Sequence, residues 1–94
     1  MKHDPNKLTR WFAFYFGVKI REICKKNNQR ALSDYRRLLM RILRDHTDLT
    51  LEKIGKRLGG RNHSTIYEGI KNAEFLPEIN KKYIRFCEHY NLKA

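Results

Sequence analysis

Ninety-four residues suit one domain and are too few for two independently packed cores or a multidomain catalytic machine. Lys and Arg number 21 against 10 Asp and Glu, so the formal net charge is +11 with His neutral, a balance that attracts polyanions. Hydrophobic residues at 40% and aromatics at 12% supply a small core and exclude wholesale disorder. In chain order, Leu8, Trp11, Phe12 and Tyr15 fall at i, i+3, i+4 and i+7, which predicts a helix from Lys7 to about Phe16 with an aromatic inner stripe, stopped by Gly17. Val18, Ile20, Ile23 and Cys24 predict a short second helix from Val18 to Lys26, running into the basic break Lys25-Lys26-Asn27-Asn28-Gln29-Arg30. Leu32, Tyr35, Leu39, Ile42 and Leu43 then mark the longest, central helix. It starts near Ala31 or Ser33 and ends near Asp45-His46-Thr47-Asp48.

Thr50 is placed to cap the next segment, whose apolar side is Leu51, Ile54 and Leu58, before Gly59-Gly60 allows a left-handed stop. Asn62 is the N-cap candidate of the following helix, which carries Ile66, Ile70 and Ala73 on one face. Pro77 fits the first turn of a last helix with Ile79, Tyr83, Phe86, Cys87 and Tyr90 inside. Nothing repeats and no linker divides the chain, so the expectation is all-α, about six helices, with residues 1–94 as a single domain.

No apolar run reaches the roughly 20 residues that span a bilayer. Met1 to Lys7 has neither the uncharged stretch nor the small-residue cleavage site of a secretory signal, so a cytoplasmic protein with no membrane partner is expected. Cys24 and Cys87 are far apart and belong to no pair spaced for zinc or thiol exchange, so both are expected reduced and packed. His63 has no second ligand at i+3 or i+4, and His3, His46 and His89 form no evident constellation, so neither metal nor cofactor is expected.

Two short helices joined by a glycine turn, with polar residues opening the second, are the sequence form of a helix-turn-helix. In such a unit the second helix enters the major groove N-terminus first, so base-reading side chains gather in its first turn while the apolar face behind them anchors it. Arg61, Asn62, His63, Ser64 and Thr65 meet the first requirement, and Ile66, Ile70 and Ala73 the second.

The run from Leu51 to Ile66, with Ile54-Gly55 followed by Gly59-Gly60-Arg61-Asn62-His63-Ser64-Thr65, resembles the signature of the C-terminal DNA-binding domain of DnaA, the bacterial replication initiator. The family pattern is an aliphatic-Gly pair, a short gap, Gly-Gly-Arg-Asp-His-Thr-Thr and an aliphatic residue, and a looser likeness runs from about Leu8 to Tyr90. The resemblance implies a Trp-repressor-like helix-turn-helix that binds a short asymmetric duplex site as a monomer. It assigns base contacts to Arg61, Asn62, His63, Ser64 and Thr65, with Leu51 also near the bases. Phosphate contacts fall to Arg36, Arg37 and Arg44 on the central helix and to Lys25, Lys26 and Arg30 in the basic loop.

Three positions depart from the pattern. Asn62 replaces an acidic residue, exchanging a carboxylate that suits cytosine for an amide that suits adenine. Glu52 replaces the usual Pro, bringing a negative charge toward DNA. The arginine that the family inserts into the minor groove falls at Asn27 or Asn28, leaving Arg30 to take over that reading.

DnaA also carries an ATPase module. Here Gly55-Lys56-Arg57 and Gly59-Gly60-Arg61 lack the spacing that cradles a triphosphate, so no ATP hydrolysis and no enzyme activity is expected. Two origins stay open, an excised domain or a stand-alone DnaA-like protein such as a phage or mobile element encodes, and the untagged start at Met1 favours the second. The sequence reading is thus a sequence-specific double-stranded DNA binder in replication initiation or its regulation. The alternatives are an adaptor for a replication or transcription protein, a transcriptional regulator, and a nonenzymatic RNA binder.

Overall fold

The computed structural model describes residues 2–26 and 29–93, so the expected minor-groove position at Asn27 or Asn28 lies outside the described residues. Among those described there are six helices and no strand: α1 (Pro5–Phe16), α2 (Ile20–Cys24), α3 (Arg30–His46), α4 (Leu51–Arg57), α5 (His63–Phe75) and α6 (Pro77–His89). The all-helical expectation is borne out. α1 begins ahead of its apolar periodicity because the Asp4 carboxylate accepts the Asn6 amide at 2.9 Å and Pro5 occupies the first turn. Gly17 ends it in the left-handed region at φ 65°. α2 is shorter than expected: Lys19 is extended, and only Ile20–Cys24 is helical.

α3, with 17 residues, is the centre, burying Leu38, Leu39, Met40, Ile42 and Leu43. α5 packs on it and buries Ile66, Gly69, Ile70 and Ala73. The two come so close at Gly69 that an added methyl group would meet Met40 Sδ at 2.3 Å. α1 and α6 close the other side with aromatic rings. Trp11 stacks on Tyr90 with centroids 4.5 Å apart, and the Tyr90 hydroxyl donates to the Trp11 carbonyl at 3.2 Å. Leu8, Phe12 and Phe86 are fully buried beneath that pair, whereas Trp11 and Tyr15 are half-buried. None of the helices among the described residues is long and apolar enough to cross a membrane.

His46, given no constellation from sequence, belongs to a buried polar network. Its Nε2 lies 3.0 Å from the Tyr83 hydroxyl, which donates to Asp45 at 2.8 Å, and Cys87 Sγ lies 3.6 Å from the same nitrogen. Arg41 covers the Tyr83 ring at 3.7 Å and donates to the Ala73 carbonyl and to Asn80, joining α3 to α5 and α6. Burial holds the His46 imidazole below its ordinary value, with the nearby Asp45 carboxylate opposing that shift and His3 reinforcing it. The folded chain therefore keeps His46 neutral where the unfolded chain takes up a proton near pH ~6.5, so stability falls as pH drops below that value. The thermal midpoint should decline between about pH 7 and about pH 5.5, and His46→Gln, which keeps a donor for Tyr83, should flatten the decline. A level wild-type profile over that window would contradict a buried neutral imidazole.

Candidate nucleic-acid interface

The helix-turn-helix is α4, the turn at residues 58–62 and α5. Thr50 Oγ1 accepts the Lys53 amide at 3.2 Å and starts α4. The Gly55 carbonyl then receives three amides, from Leu58 at 3.2 Å, Gly60 at 3.0 Å and Arg61 at 3.0 Å. A methyl group on Gly55 would sit 2.0 Å from the Arg61 carbonyl oxygen, so backbone meets backbone there and only glycine fits. Gly59 and Gly60 follow at φ 83° and 78°, which carries the chain round the turn. Asn62 Oδ1 accepts the Thr65 amide at 2.9 Å and opens α5.

Asn62, His63, Ser64 and Thr65 are all exposed at that opening, while Ile66, Ile70 and Ala73 behind them are buried. The first-turn amides of a helix carry partial positive charge and lack internal partners, which suits a polar or anionic ligand met end-on. Ser64, Thr65, Glu68 and Asn72 form one wall of a groove of about 370 Å³ whose other side includes Arg36 and Arg37 of α3. Leu51 is half-buried against the core at the start of α4. Glu52 is exposed, 3.8 Å from the Lys56 ammonium.

The arginines are placed differently from expectation. Arg61 is half-buried at the edge of that groove, and its guanidinium donates to the carbonyls of Cys24 at 3.1 Å, Lys25 at 3.0 Å and Leu58. Arg36 is only 7% exposed and donates to Ile23 at 2.6 Å and Lys25 at 3.1 Å, so backbone oxygens hold it where phosphates were expected. Burial pulls Arg36 below the usual guanidinium range, and the like charge of Arg61 adds to that. Arg44 bridges Asp45 at 2.6 Å and Glu74 at 2.9 Å; Arg37 pairs with Asp34 at 3.3 Å, and Lys25 with Glu22 at 2.9 Å. Lys26 and Arg30 are exposed and carry no ion pair among the described residues. A lone basic residue in a sequence does not show which carbonyl or carboxylate the fold will bring to it, which is why these engagements were missed.

Two substitutions test the turn. Gly55→Ala should lower unfolding free energy by about 2–3 kcal/mol through forced backbone displacement. Gly60→Ala, with nothing within 4 Å of its added carbon but a left-handed φ, should cost only about 1 kcal/mol. Urea titrations giving equal losses would contradict the close approach. Asn62→Ala should cost about 1 kcal/mol by removing the cap, and Asn62→Asp should not, because it keeps the accepting oxygen at a helix N-terminus.

The matched family model is described as the bacterial DnaA protein helix-turn-helix and covers residues 5–72, from α1 to near the end of α5. The chromosomal replication initiator protein DnaA of two strains of Thermus thermophilus is 29% identical over 82 residues, which is 87% of this chain and 19% of each relative. The chain thus spans about a fifth of the length of these relatives. With the matched residues enclosing α4, its glycine turn and most of α5, the chain belongs to the bacterial DnaA helix-turn-helix family.

Proposed function

We propose that this chain binds double-stranded DNA in a sequence-selective way, without catalysis, in replication initiation or its regulation. The observation that supports this reading is the exposed polar start of α5, with Arg61 just ahead of it donating to the carbonyls of Cys24 and Lys25 beside the exposed Lys25 and Lys26. In this reading residues 1–94 are one domain that acts as a monomer on its duplex in the cytoplasm. His63, Ser64 and Thr65 enter the major groove, with Leu51 near thymine methyls. Asn62 Oδ1 serves the cap, which leaves Nδ2 as a donor for acceptor edges such as purine N7. Lys26 and Arg30 meet phosphates directly. Lys25 joins them by exchanging its exposed Glu22 partner, at little cost because exposed ion pairs contribute only about 0–1 kcal/mol. Arg37 and Arg44 join them from partly buried pairs with Asp34 and Asp45, whose exchange costs more.

A protein partner is the second reading, favoured by Phe14 on α1 and Phe75 at the end of α5, which are 85% and 79% exposed. Titrations with duplex DNA selected from a random library, random duplex, single-stranded DNA and structured RNA at fixed salt separate the two readings. Tightest binding to the selected duplex is expected; no preference for it over the other nucleic acids rejects the DNA reading. His63→Ala should cost about 1–3 kcal/mol on the selected duplex and much less on random duplex, whereas equal losses rule out base reading. Lys26→Ala should reduce the slope of log K against log salt by about 0.9, and an unchanged slope removes it from phosphate contact.

A further inference from the structure

We propose that Arg36 and Arg61 are positioning residues that clamp the chain at Lys25 to the turn ahead of α5, so that Lys25, Lys26 and the helix meet a duplex in one fixed register. The proposal rests on the DNA-binding reading above. Ile23 and Cys24 supply the last carbonyls of the five-residue α2, and Lys25 follows as its extended C-cap; so short a helix satisfies few of its own carbonyls. Arg36 reaches Ile23 at 2.6 Å and Lys25 at 3.1 Å from α3. Arg61 reaches Cys24 at 3.1 Å and Lys25 at 3.0 Å from the turn, and also holds the Leu58 carbonyl just after α4.

The Lys25 carbonyl therefore receives one guanidinium from α3 and one from the turn, and three segments converge on it. Two further contacts close the same seam. Cys24 Sγ donates to the Arg57 carbonyl at 3.5 Å, and Gly59 lies so near the Cys24 carbonyl that an added methyl group would come within 2.2 Å. The clamp thus fixes Lys25, and with it the start of the exposed basic side chains Lys25 and Lys26. Both terminal nitrogens of Arg61 are engaged with these carbonyls, so its guanidinium acts on DNA through the position it gives Lys25 and Lys26. Lysine keeps the charge but has one nitrogen in place of a planar fork, and cannot hold this set of carbonyls.

Arg61→Lys in the full chain tests the clamp. Without DNA, trypsin cleavage after Lys25 and Lys26 should become about tenfold faster, the change expected for one lost charge-assisted hydrogen bond. With DNA, the salt slope should fall by about as much as in Lys26→Ala although no charge is removed, and the double variant should show no further fall. Ile42→Val, a core change of modest cost, should alter neither the loop cleavage nor the slope. Arg36→Lys should repeat the Arg61→Lys result; if its burial prevents folding, the half-buried Arg61 carries the test alone. Unchanged cleavage and slope in Arg61→Lys, with duplex binding intact, overturn the clamp. Failure of the unmodified chain to prefer duplex DNA overturns instead the reading beneath it.

Discussion

The exposed start of α5 depends on how closely the back of that helix sits against α3. Protein interiors are packed at the density of organic crystals, and neither Gly69 beside Met40 nor Gly55 beside the Arg61 carbonyl leaves space for a methyl group. With Ile66, Ile70 and Ala73 holding the back of α5, the residues at its front are released from any part in the core. A first turn made of Asn62, His63, Ser64 and Thr65 is then a surface of short polar groups on a rigid mount. Such rigidity is what a recognition element needs, because hydrogen bonds discriminate only when donor and acceptor positions are fixed in advance.

The net charge of +11 overstates what faces outward. Hydrogen bonds from charged donors are worth about 1.5–3 kcal/mol each, whereas exposed ion pairs are worth about 0–1 kcal/mol. By that measure the carbonyl contacts of Arg36 and Arg61 matter more to the fold than Lys56 with Glu52 or Lys25 with Glu22. Two guanidiniums sharing the Lys25 carbonyl repel each other, and what offsets that is the group of carbonyls at the end of α2 and its C-cap, from Ile23 to Lys25, that accept from them. The same charge type thus does two jobs: buried Arg36 and half-buried Arg61 build the seam, and exposed Lys26 and Arg30 supply the outward field.

The sequence was most legible where structure is local. Thr50, Asn62, Gly17 and the Gly59-Gly60 pair act through their own dihedrals or through amides a few residues away, and each ends or begins a helix as its chemistry dictates. The inner faces of α5 and α6 followed from periodicity alone. Even the missed start of α1 had a local signal in Asp4-Pro5, a capping carboxylate ahead of a first-turn proline. Illegible were the long cationic side chains and His46, whose partners lie tens of residues away: Arg61 finds carbonyls on α2, Arg41 finds Asn80, and His46 finds Tyr83 and Cys87. For the candidate site, residue identity was readable, but whether a given arginine points out or in was a tertiary fact.

α6 makes the division of labour plain. It lies beyond the family match at residues 5–72, yet it contributes Ile79, Tyr83, Phe86 and Cys87 to the core and the Asn80 carboxamide that Arg41 uses to tie α3 to the end of α5. Residues 5–72 thus contain the surface that would face DNA, and α6 supports the far side of the helix on which that surface is mounted. Changes in α6 act on that surface through α3 and through the back of α5, as a loss of stability. Among the first-turn residues of α5, Asn62 also caps the helix, whereas His63 and Ser64 are exposed side chains that the core does not use. The signature residues and the closing helix are therefore under different physical constraints: the former must match a partner's edge, and the latter need only fill volume and satisfy a few buried polar groups.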